Sequence, residues 1–395
     1  MTIKNAHMSD SNTILVLGAN AGQLDLIKYM QTIGWTVHAC AHRRGDSGEK
    51  HADVFHLLDI RDIDAVCQLA QEIQADLVYS VSSDIAMITA VAVSTKLSLP
   101  HFFDNDLIDL LNRKELLRQH LNNHNLGPVE YQTIRKFDDI DNWTTFPCMV
   151  KPSDAQGQRG VQKVTKEADF EKAVNIALEA STSNTAIIEE FLDGVEMSCN
   201  ILVNQGDIKF DILSERLVHG GDLFGIPEGH LVPCMNVSLK VQSEAIKLVH
   251  ETIRSLKVES GCLYFQMKAS HQGVRIIEIA PRLDGCHMWR LIKSATGEDF
   301  LASTVQCLLG HGQDSKRTVV PKKCRKELIF QQAPPNKKFD LESFPIPQDV
   351  VYHEYRYDDG DIIQPINGKM DVVGYYVRPY SQDEAQIYRQ RIQDQ

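Results

Sequence analysis

Short apolar runs alternate with amphipathic segments along the first hundred residues of the chain. The run Ile14–Leu17 leads into a glycine-containing turn, after which a helical pattern ends at Gly34. A second run, Thr36–Ala41, follows at once, and a third, Leu77–Val81, comes after a helical segment around Ile63–Ile73. Apolar strands that alternate with helices are typical of βαβ units. The pattern therefore predicts an α/β fold that begins with a Rossmann-like parallel-sheet domain.

The turn after the first run does not match a dinucleotide-binding fingerprint. Gly18 and Gly22 have GxxxG spacing instead of GxGxxG, and the second run ends in His42-Arg43-Arg44 without an acidic residue for a ribose. NAD binding is therefore not expected. The segment 82–84 (Ser-Ser-Asp) lies at the end of the third run, where parallel sheets bind ligands, although a helix N-cap explains it equally well.

A charged helical segment from Leu107 is followed by a strand that ends in a lysine. The helix carries Lys114 and closes at Leu126-Gly127-Pro128, and the strand carries Lys151. The next loop contains Gly157 and Gly160, whose backbone amides can turn toward an anion. No GK[ST] opens a helix here, so the loop is not a Walker P-loop, and in isolation an ordinary turn explains it.

A helix over residues 167–179 and a short apolar run precede the acidic segment 189–196, EEFLDGVE. An extended segment of this kind can offer backbone groups to a purine edge, and its carboxylates can accept from an amine and from ribose hydroxyls. The alternative is a charged edge strand. The segment 214–233 is rich in glycine and lacks periodicity, which predicts a lid, with disorder as the competing interpretation.

Two alternating strands, Cys262–Lys268 and Val274–Ala280, are separated by a polar turn and predict a β-hairpin. Strand alternation predicts two groups of side chains that share a face: Gln266 with Tyr264 and Lys268, and Glu278 with Ile276 and Ala280.

Symmetric pairing of this hairpin about Gln272 would place Gln266 opposite Glu278. The amide and carboxylate oxygens could then hold one Mg²⁺ ion, and Arg282, behind Pro281, could contact phosphate. In isolation, a half-buried hairpin with a polar face explains the same residues.

Composition and charge narrow the class of protein. The chain has 395 residues, a net charge of -12 and 43% hydrophobic residues, which argues against a general nucleic-acid surface. No signal peptide or membrane span is evident, and the nine scattered cysteines have neither zinc-site nor disulfide spacing. We therefore expect a reduced, cytoplasmic protein that binds neither nucleic acid nor membranes.

We expect four parts along the chain. Residues 1–12 form a disordered tail, 13–112 the Rossmann-like domain, 113–312 a central domain with a first subdomain up to about residue 195, and 313–395 a small C-terminal α/β domain. The last part starts with a basic run that we interpret as a solvated surface.

The order of these pieces resembles the ATP-grasp superfamily over nearly the whole chain, which implies an ATP-grasp fold between the N-terminal domain and the C-terminal cap. The resemblance implies that Lys114 and Lys151 bind the nucleotide, that Gly157 and Gly160 cover its phosphates, and that Glu189 accepts from the adenine amine. It further implies that Phe191 and Leu192 supply hinge backbone groups and that Glu196 binds the ribose. Gln266 and Glu278 would be the magnesium ligands, and Arg282 the closing arginine.

One residue departs from the family pattern. Ala280 stands where the E-x-N-P-R motif has asparagine, which puts a second metal ion in doubt, and Asp284 is a candidate replacement ligand. No general base stands out, and five residues flank the predicted lid or site: His219, Glu228, His230, His287 and Arg290.

The resemblance implies an enzyme, an ATP-grasp ligase that forms a C–N or C–S bond. With ATP and Mg²⁺ or Mn²⁺, it would activate a small carboxylate as an acyl phosphate, which an amine or thiol then attacks. The catalytic residues would be Lys151 and Arg282. The alternatives are an ATP-binding protein with weakened or lost catalysis, which Ala280 suggests, and a kinase of a small metabolite. The oligomeric state stays open, with a homodimer as one outcome.

Overall fold

The computed structural model describes residues 12–311, 324–365, 369–381, 383, 384 and 388. The predicted N-terminal tail up to residue 11, most of the predicted basic run and most of the final helix lie outside the described residues. None of the described helices is long and apolar enough to span a membrane.

The N-terminal region is a parallel sheet flanked by helices. Its strands are β1 (Thr13–Leu17), β2 (Thr36–Ala41), β3 (Val54–Leu57) and β4 (Leu77–Tyr79), and its helices are α1 (Ala21–Thr32), α2 (Ile63–Glu72) and α3 (Asp84–Leu97). The strand order is β3-β2-β1-β4, with all pairs parallel. The predicted strands and helices are thus present, and β3 is an additional short edge strand.

The predicted charged helix is two helices, α4 (Asn105–Asn112) and α5 (Lys114–Asn123). Asp104 caps α4 by accepting from the amide of Leu107, and Arg113 between the helices has extended backbone angles. The amide of Lys114 donates to the carbonyl of Ser153 at 3.1 Å. This bond fixes the start of α5 against the end of the strand that carries Lys151.

A four-stranded antiparallel sheet follows. Its strands are β5 (Tyr131–Ile134), β6 (Cys148–Pro152), β7 (Gln162–Val164) and β8 (Ala186–Glu190), and helix α6 (Phe170–Ala180) packs on one face. The strand order is β5-β8-β6-β7. Val150 and Ile188 on the covered face are fully buried, so Lys151 and Glu189 point to the other face.

The largest sheet has eight strands. They are β9 (Val195–Asn204), β10 (Asp207–Val218), β11 (Pro227–Val232), β12 (Gly261–Ser270), β13 (Gly273–Ala280), β14 (Lys326–Ala333), β15 (Tyr352–Tyr355) and β16 (Asp371–Pro379). Their order is β13-β12-β9-β10-β11-β14-β16-β15, with antiparallel neighbours. The remaining helices are α7 (Leu239–Ser255), α8 (Met288–Thr296) and α9 (Phe300–Leu308).

Alternation along the central strands of this sheet separates an apolar face from a polar one. On β9, Met197, Cys199 and Ile201 are fully buried in the main hydrophobic core. The alternate residues of β9 point to the opposite face and are polar: Glu196, Ser198 and Asn200. Their partners on β12 are also polar: Lys268, Gln266 and Tyr264, in the same order. This polar row forms one wall of the candidate site.

The mixed α/β fold, with a parallel N-terminal sheet and a large antiparallel sheet, is the predicted fold class. The lid prediction is wrong for most of its length, because residues 214–218 and 227–232 belong to β10 and β11. Only the connection between these strands is a loop. The strands of the predicted C-terminal part extend the same eight-stranded sheet, since β14 pairs with β11.

Candidate active site

The hairpin of β12 and β13 pairs Gln266 with Glu278, as the sequence predicted. The symmetric pairing behind that prediction is wrong, because the strands close at Ser270 and Gly273 and a bulge adds the unpaired Ile277 to β13. The bulge brings the two polar side chains into register. Both are half-buried on the polar face of the sheet.

The same bulge changes which residues share a face with Glu278. Met267 pairs with Ile276, which is fully buried in the core. The expectation that Ile276 and Glu278 share a face is therefore wrong, because one extra residue reverses the alternation. Ala280 does share the face of Glu278, lies opposite Tyr264 as predicted, and is buried.

Glu196 is buried and held by three neighbours on this polar face. Its Oε2 accepts from Nε2 of Gln266 at 3.0 Å and from the guanidinium of Arg216, and Nζ of Lys268 lies 3.7 Å from its Oε1. Because the amide nitrogen of Gln266 donates to Glu196, its amide oxygen is the atom that remains for an ion. The predicted ribose ligand and the predicted metal ligand are thus in direct contact.

Glu189 lies between two cations in the four-stranded sheet. One oxygen accepts from Nε of Arg118 at 2.7 Å and the other from Nζ of Lys151. Burial by itself raises the pKa of Glu189, but Arg118 and Lys151 outweigh it and lower this pKa to about 2. The carboxylate is therefore ionised at neutral pH and connects the second predicted lysine to helix α5.

Lys114 lies near the same group of charges. Its Nζ donates to the carbonyl of Ala155 at 2.8 Å, in the strand-to-loop connection that follows Lys151. Burial lowers the pKa of Lys114 and the nearby Lys151 acts in the same direction, whereas Glu278 and Glu189 oppose them. The structure thus brings both predicted lysines and Glu278 into one electrostatic cluster.

The two predicted glycines of the loop have left-handed backbones, with φ of +63° at Gly157 and +72° at Gly160. A Cβ at Gly157 would meet no atom within 4 Å, whereas one at Gly160 would lie 2.5 Å from Cβ of Ala180. Gly160 therefore permits packing on α6. Gln158 between them donates to the carbonyl of Gly225 at 2.6 Å, which links this loop to the β10–β11 connection.

The predicted hinge residues differ in what their backbones offer. The amide of Phe191 donates to the carbonyl of Pro147 at 3.2 Å, so it is not free for an adenine ring. The hinge role of the Phe191 and Leu192 backbone stays a prediction. The amide of Leu192 has no hydrogen-bond partner in the described part of the chain. The Phe191 ring packs against Phe224, with 6.0 Å between the ring centroids. The ammonium of Lys163 lies over the Phe191 ring, 3.9 Å from its centroid.

Arg282 is buried and forms a two-pronged ion pair with Asp84. Its Nε and one terminal nitrogen lie 2.5 and 2.6 Å from the two carboxylate oxygens. Ser83 is the N-cap of α3, which confirms the helix-cap interpretation of the segment 82–84. Its role as a ligand edge stays a prediction. The ion pair connects the N-terminal sheet to the end of the hairpin.

The residues that flank the predicted lid or site separate into different places. His219 and Glu228 pair at 2.9 Å and line a cavity of about 380 Å³ with Leu217, which alternation places on the opposite face from Arg216. Arg290 pairs with Asp25 of α1. The other two are His230, which pairs with Arg216 across β10 and β11, and His287, which accepts from Arg356 at 3.0 Å. Asp284, the candidate replacement ligand, lies within electrostatic reach of Arg216.

Sequence reasoning missed two arginines that organise this site. Arg118 lies four residues after Lys114, so helix periodicity puts both on one face of α5. Arg216 lies two residues after Ser214 on the same face of β10 and pairs with Glu196, but the glycines that follow it suggested a lid. The helical spacing was a usable signal for Arg118, whereas Arg216 required recognition of β10 as a strand.

A family comparison decides what kind of domain holds this site. Residues 144–289 match the family described as "ATP-grasp domain". The chain carries an ATP-grasp domain. Except for Lys114, all the residues that were predicted to bind ATP or metal lie within the matched segment.

Curated relatives match shorter segments. A D-alanine–D-alanine ligase of Flavobacterium johnsoniae is 38% identical over 79 residues, which are 20% of this chain and 24% of that protein. A carbamoyl phosphate synthase large chain of Thermoanaerobacter sp. is 24% identical over 182 residues, 45% of this chain and 16% of that protein. The matches thus span a quarter or less of these relatives' own lengths.

Solved structures share the fold over nearly the whole chain. An L-amino acid ligase from Bacillus licheniformis superposes with a TM-score of 0.78 at 16% identity, covering 98% of both chains. N5-carboxyaminoimidazole synthetase from Staphylococcus aureus, complexed with ADP, gives 0.75 at 16% identity, covering 97% of this chain and 98% of that one. At such identities the likeness concerns the fold alone.

Proposed function

We propose that this chain is an ATP-dependent ligase that joins a small carboxylate to an amine or thiol. An oxygen of the carboxylate would bond to the γ-phosphorus while the bond from that phosphorus to ADP breaks. The acceptor nitrogen or sulfur would then bond to the acyl carbon, and phosphate and the acceptor proton would leave. The pairing of Gln266 with Glu278 beside Lys114 and Lys151 is the observation that carries this proposal.

The oxygen atoms of Gln266 and Glu278 fit a magnesium ion. The amide nitrogen of Gln266 is bound to Glu196, and the Glu278 carboxylate has no hydrogen-bond or ion-pair partner among the described residues. Mg²⁺ and Mn²⁺ prefer oxygen ligands, and beside phosphates they require protein oxygen atoms that are not bound to other protein groups. When bound, the ion would neutralise charge on the phosphate oxygens.

The nucleotide would lie between the two antiparallel sheets. Lys114 and Lys151 would contact phosphate oxygens under the loop of Gly157 and Gly160, and Arg282, still holding Asp84, would stabilise the transferring phosphoryl group.

The adenine and ribose contacts follow the same placement. Glu189 would accept from the adenine amine, the Leu192 amide would donate to the ring, and Glu196 would bind the ribose. Glu189 and Glu196 are both buried and ionically held, so each has a fixed orientation before ATP binds. We keep the predicted division of the chain at residues 112 and 312, a cytoplasmic location and a homodimer as parts of the same proposal.

The decisive experiment supplies Mg·ATP with a panel of small carboxylates, each with and without an amine or thiol. ADP and phosphate that appear only when both substrates are present would support ligation. A stable phosphorylated product without an acceptor would show a kinase. ATP binding in calorimetry without turnover on the whole panel would contradict the ligase and indicate lost catalysis.

The Ala280→Asn variant distinguishes lost catalysis from an untested substrate. Asparagine at position 280, opposite Tyr264, would supply the amide oxygen of the family motif. Turnover that appears only in this variant would assign the deficit to the missing metal ligand. Because Ala280 is only 2% exposed, a thermal unfolding scan should accompany the assay to confirm that the larger side chain is accommodated.

A further inference from the structure

Beside the polar row, three residues from separate parts of the chain bring metal-binding atoms together. One ligand atom each of His230, Asp284 and Cys286 lies within 4.8 Å of the other two. His230 is in β11, and the other two follow β13, so no spacing in the sequence indicated a site. None of the three has a role in the proposed ligase reaction.

The orientation of His230 is that of a metal-binding imidazole. Its Nδ1 lies 3.1 Å from Oγ of Ser214, which in turn lies 2.7 Å from Oγ of Ser198. Its Nε2 is buried and has no hydrogen-bond partner in the described structure. In the tautomer with the proton on Nδ1, Ser214 fixes the ring and Nε2 offers its lone pair. Histidines that bind metals commonly donate their other N–H in this way.

Asp284 is a buried carboxylate without an ion-pair partner among the described residues. It is 3% exposed, its Oδ1 accepts from the amide of Cys286 at 2.9 Å, and its Oδ2 has no hydrogen-bond partner in that set. Burial raises its pKa. Arg282 and Arg216 lie within electrostatic reach, but each is already bound to another carboxylate. A cation close to Oδ2 would compensate this charge.

Cys286 completes the set with a sulfur ligand. Burial raises the pKa of its thiol, so without a cation the thiol stays protonated at neutral pH. Binding of a divalent metal would displace that proton, because the thiolate is the ligand. A thiolate and a carboxylate would together balance the two charges of the ion, which makes burial of the ion electrostatically acceptable.

We propose that His230, Asp284 and Cys286 form a binding site for a thiophilic divalent cation such as Zn²⁺, distinct from the magnesium position at Gln266 and Glu278. Imidazole, carboxylate and thiolate are the ligands that zinc prefers, and three protein ligands with one open position are typical of catalytic zinc sites. The pair Gln266 and Glu278 offers only oxygen atoms, which suit magnesium, so the two sites differ in the metal that they select.

Cobalt titration of the metal-free, reduced full-length chain tests this proposal. Co²⁺ substitutes for Zn²⁺ and reports a cysteine ligand through a thiolate-to-cobalt charge-transfer band. We expect this band to saturate at one Co²⁺ per chain and to be displaced by Zn²⁺. Absence of the band would overturn the proposal, and because the titration contains no ATP, this outcome is independent of the ligase proposal.

Variants assign the band to Cys286 and test the support of the His230 imidazole. Cys286→Ser should abolish it, whereas Cys324→Ser, at the other half-exposed cysteine, should keep it. Ser214→Ala should retain the band but weaken Zn²⁺ binding about 10- to 100-fold through loss of the imidazole support. Glu278→Gln should leave the titration unchanged. A band that survives Cys286→Ser, in a variant whose circular dichroism matches wild type, would refute the assignment.

Discussion

Replacing Arg118 by methionine should destabilise the protein strongly at neutral pH and much less in acid. Arg118 and Glu189 are both buried, with side chains 2% and 5% exposed, and the guanidinium also donates to the carbonyl of Ile276 at 2.9 Å. Among the described residues, the substitution leaves the Glu189 carboxylate with Lys151 as its only ion-pair partner. A buried charge that loses a partner retains its desolvation cost.

The size of the effect follows from the pKa of Glu189. That pKa falls from 4.5 to about 2 in the folded chain. At about 1.4 kcal/mol per pH unit, the depressed pKa corresponds to about 3 kcal/mol of stability. Removal of one partner of a buried ion pair typically costs about 3–5 kcal/mol. We therefore expect Arg118→Met to lower the free energy of unfolding by about 3 kcal/mol at pH 7.

The pH dependence has a defined sign. Because the pKa of Glu189 is lower in the folded state, its contribution is present above pH 4.5 and is lost as the pH falls toward 2. The difference between wild type and Arg118→Met should therefore be largest near neutral pH and should narrow below pH 4.5.

Urea unfolding at pH 7 and pH 3 measures this difference directly. Arg61→Met is the control, because Arg61 pairs with Asp59 at 2.6 Å but is 70% exposed, so solvent screens the pair and little change is expected. The double variant with Glu189→Gln should be less destabilised than the sum of the single changes. A loss below about 1 kcal/mol at pH 7, or an equal loss at both pH values, would refute the reasoning.

Three further predictions concern the candidate site. Glu278→Gln should abolish ADP formation, and full activity of this variant would contradict the metal assignment. Lys151→Met should weaken ATP binding about ten- to hundredfold in calorimetry, since a charge-assisted contact contributes about 1.5–3 kcal/mol. Gly160→Ala should lower the unfolding midpoint more than Gly157→Ala, because only the first new methyl group overlaps α6; equal shifts would argue against this packing. Asp84→Asn should cost about 3–5 kcal/mol in urea unfolding by leaving a buried guanidinium unpaired, and a loss no larger than that of an exposed Asp→Asn control would disprove the role of the pair.

Local patterns in the sequence predicted the hairpin and the strands that carry Lys151 and Glu189. Alternation and turn residues determine these features within about twenty residues of chain, so sequence suffices for them. The end of β10, residues 214–218, was mistaken for part of a lid, because the connection that follows it contains Gly220, Gly221 and Gly225. Its pairing with β9 and β11 over long stretches stabilises it as a strand, and this long-range pairing was not visible in local composition.

The bulge at Ile277 illustrates a second limit of sequence reasoning. The prediction that Gln266 faces Glu278 was confirmed although its premise, a symmetric turn, was wrong. The turn lies earlier in the chain than the symmetric pairing assumed, which shifts the register by one residue, and the bulge shifts it back. Neither the position of the turn nor the bulge has a strong local signal in the sequence. Side-chain clusters that join distant segments, such as His230 with Cys286, were likewise beyond prediction. A single amino-acid sequence does not indicate which distant residues lie close together in the fold.

The ion pairs of the site also explain why a metal ion would be needed with the nucleotide. Of the three cations predicted to contact phosphate, Lys151 and Arg282 are each bound to a carboxylate, and only Lys114 lacks a carboxylate within 4.0 Å among the described residues. Burial already lowers the pKa of Lys114, so its positive charge is costly until an anion arrives. The phosphate chain of ATP would supply that anion, but its several negative charges exceed one uncompensated ammonium. A cation between Gln266 and Glu278 would then balance the remainder, which is why the charge pattern of this cleft favours a metal-nucleotide complex over the free nucleotide.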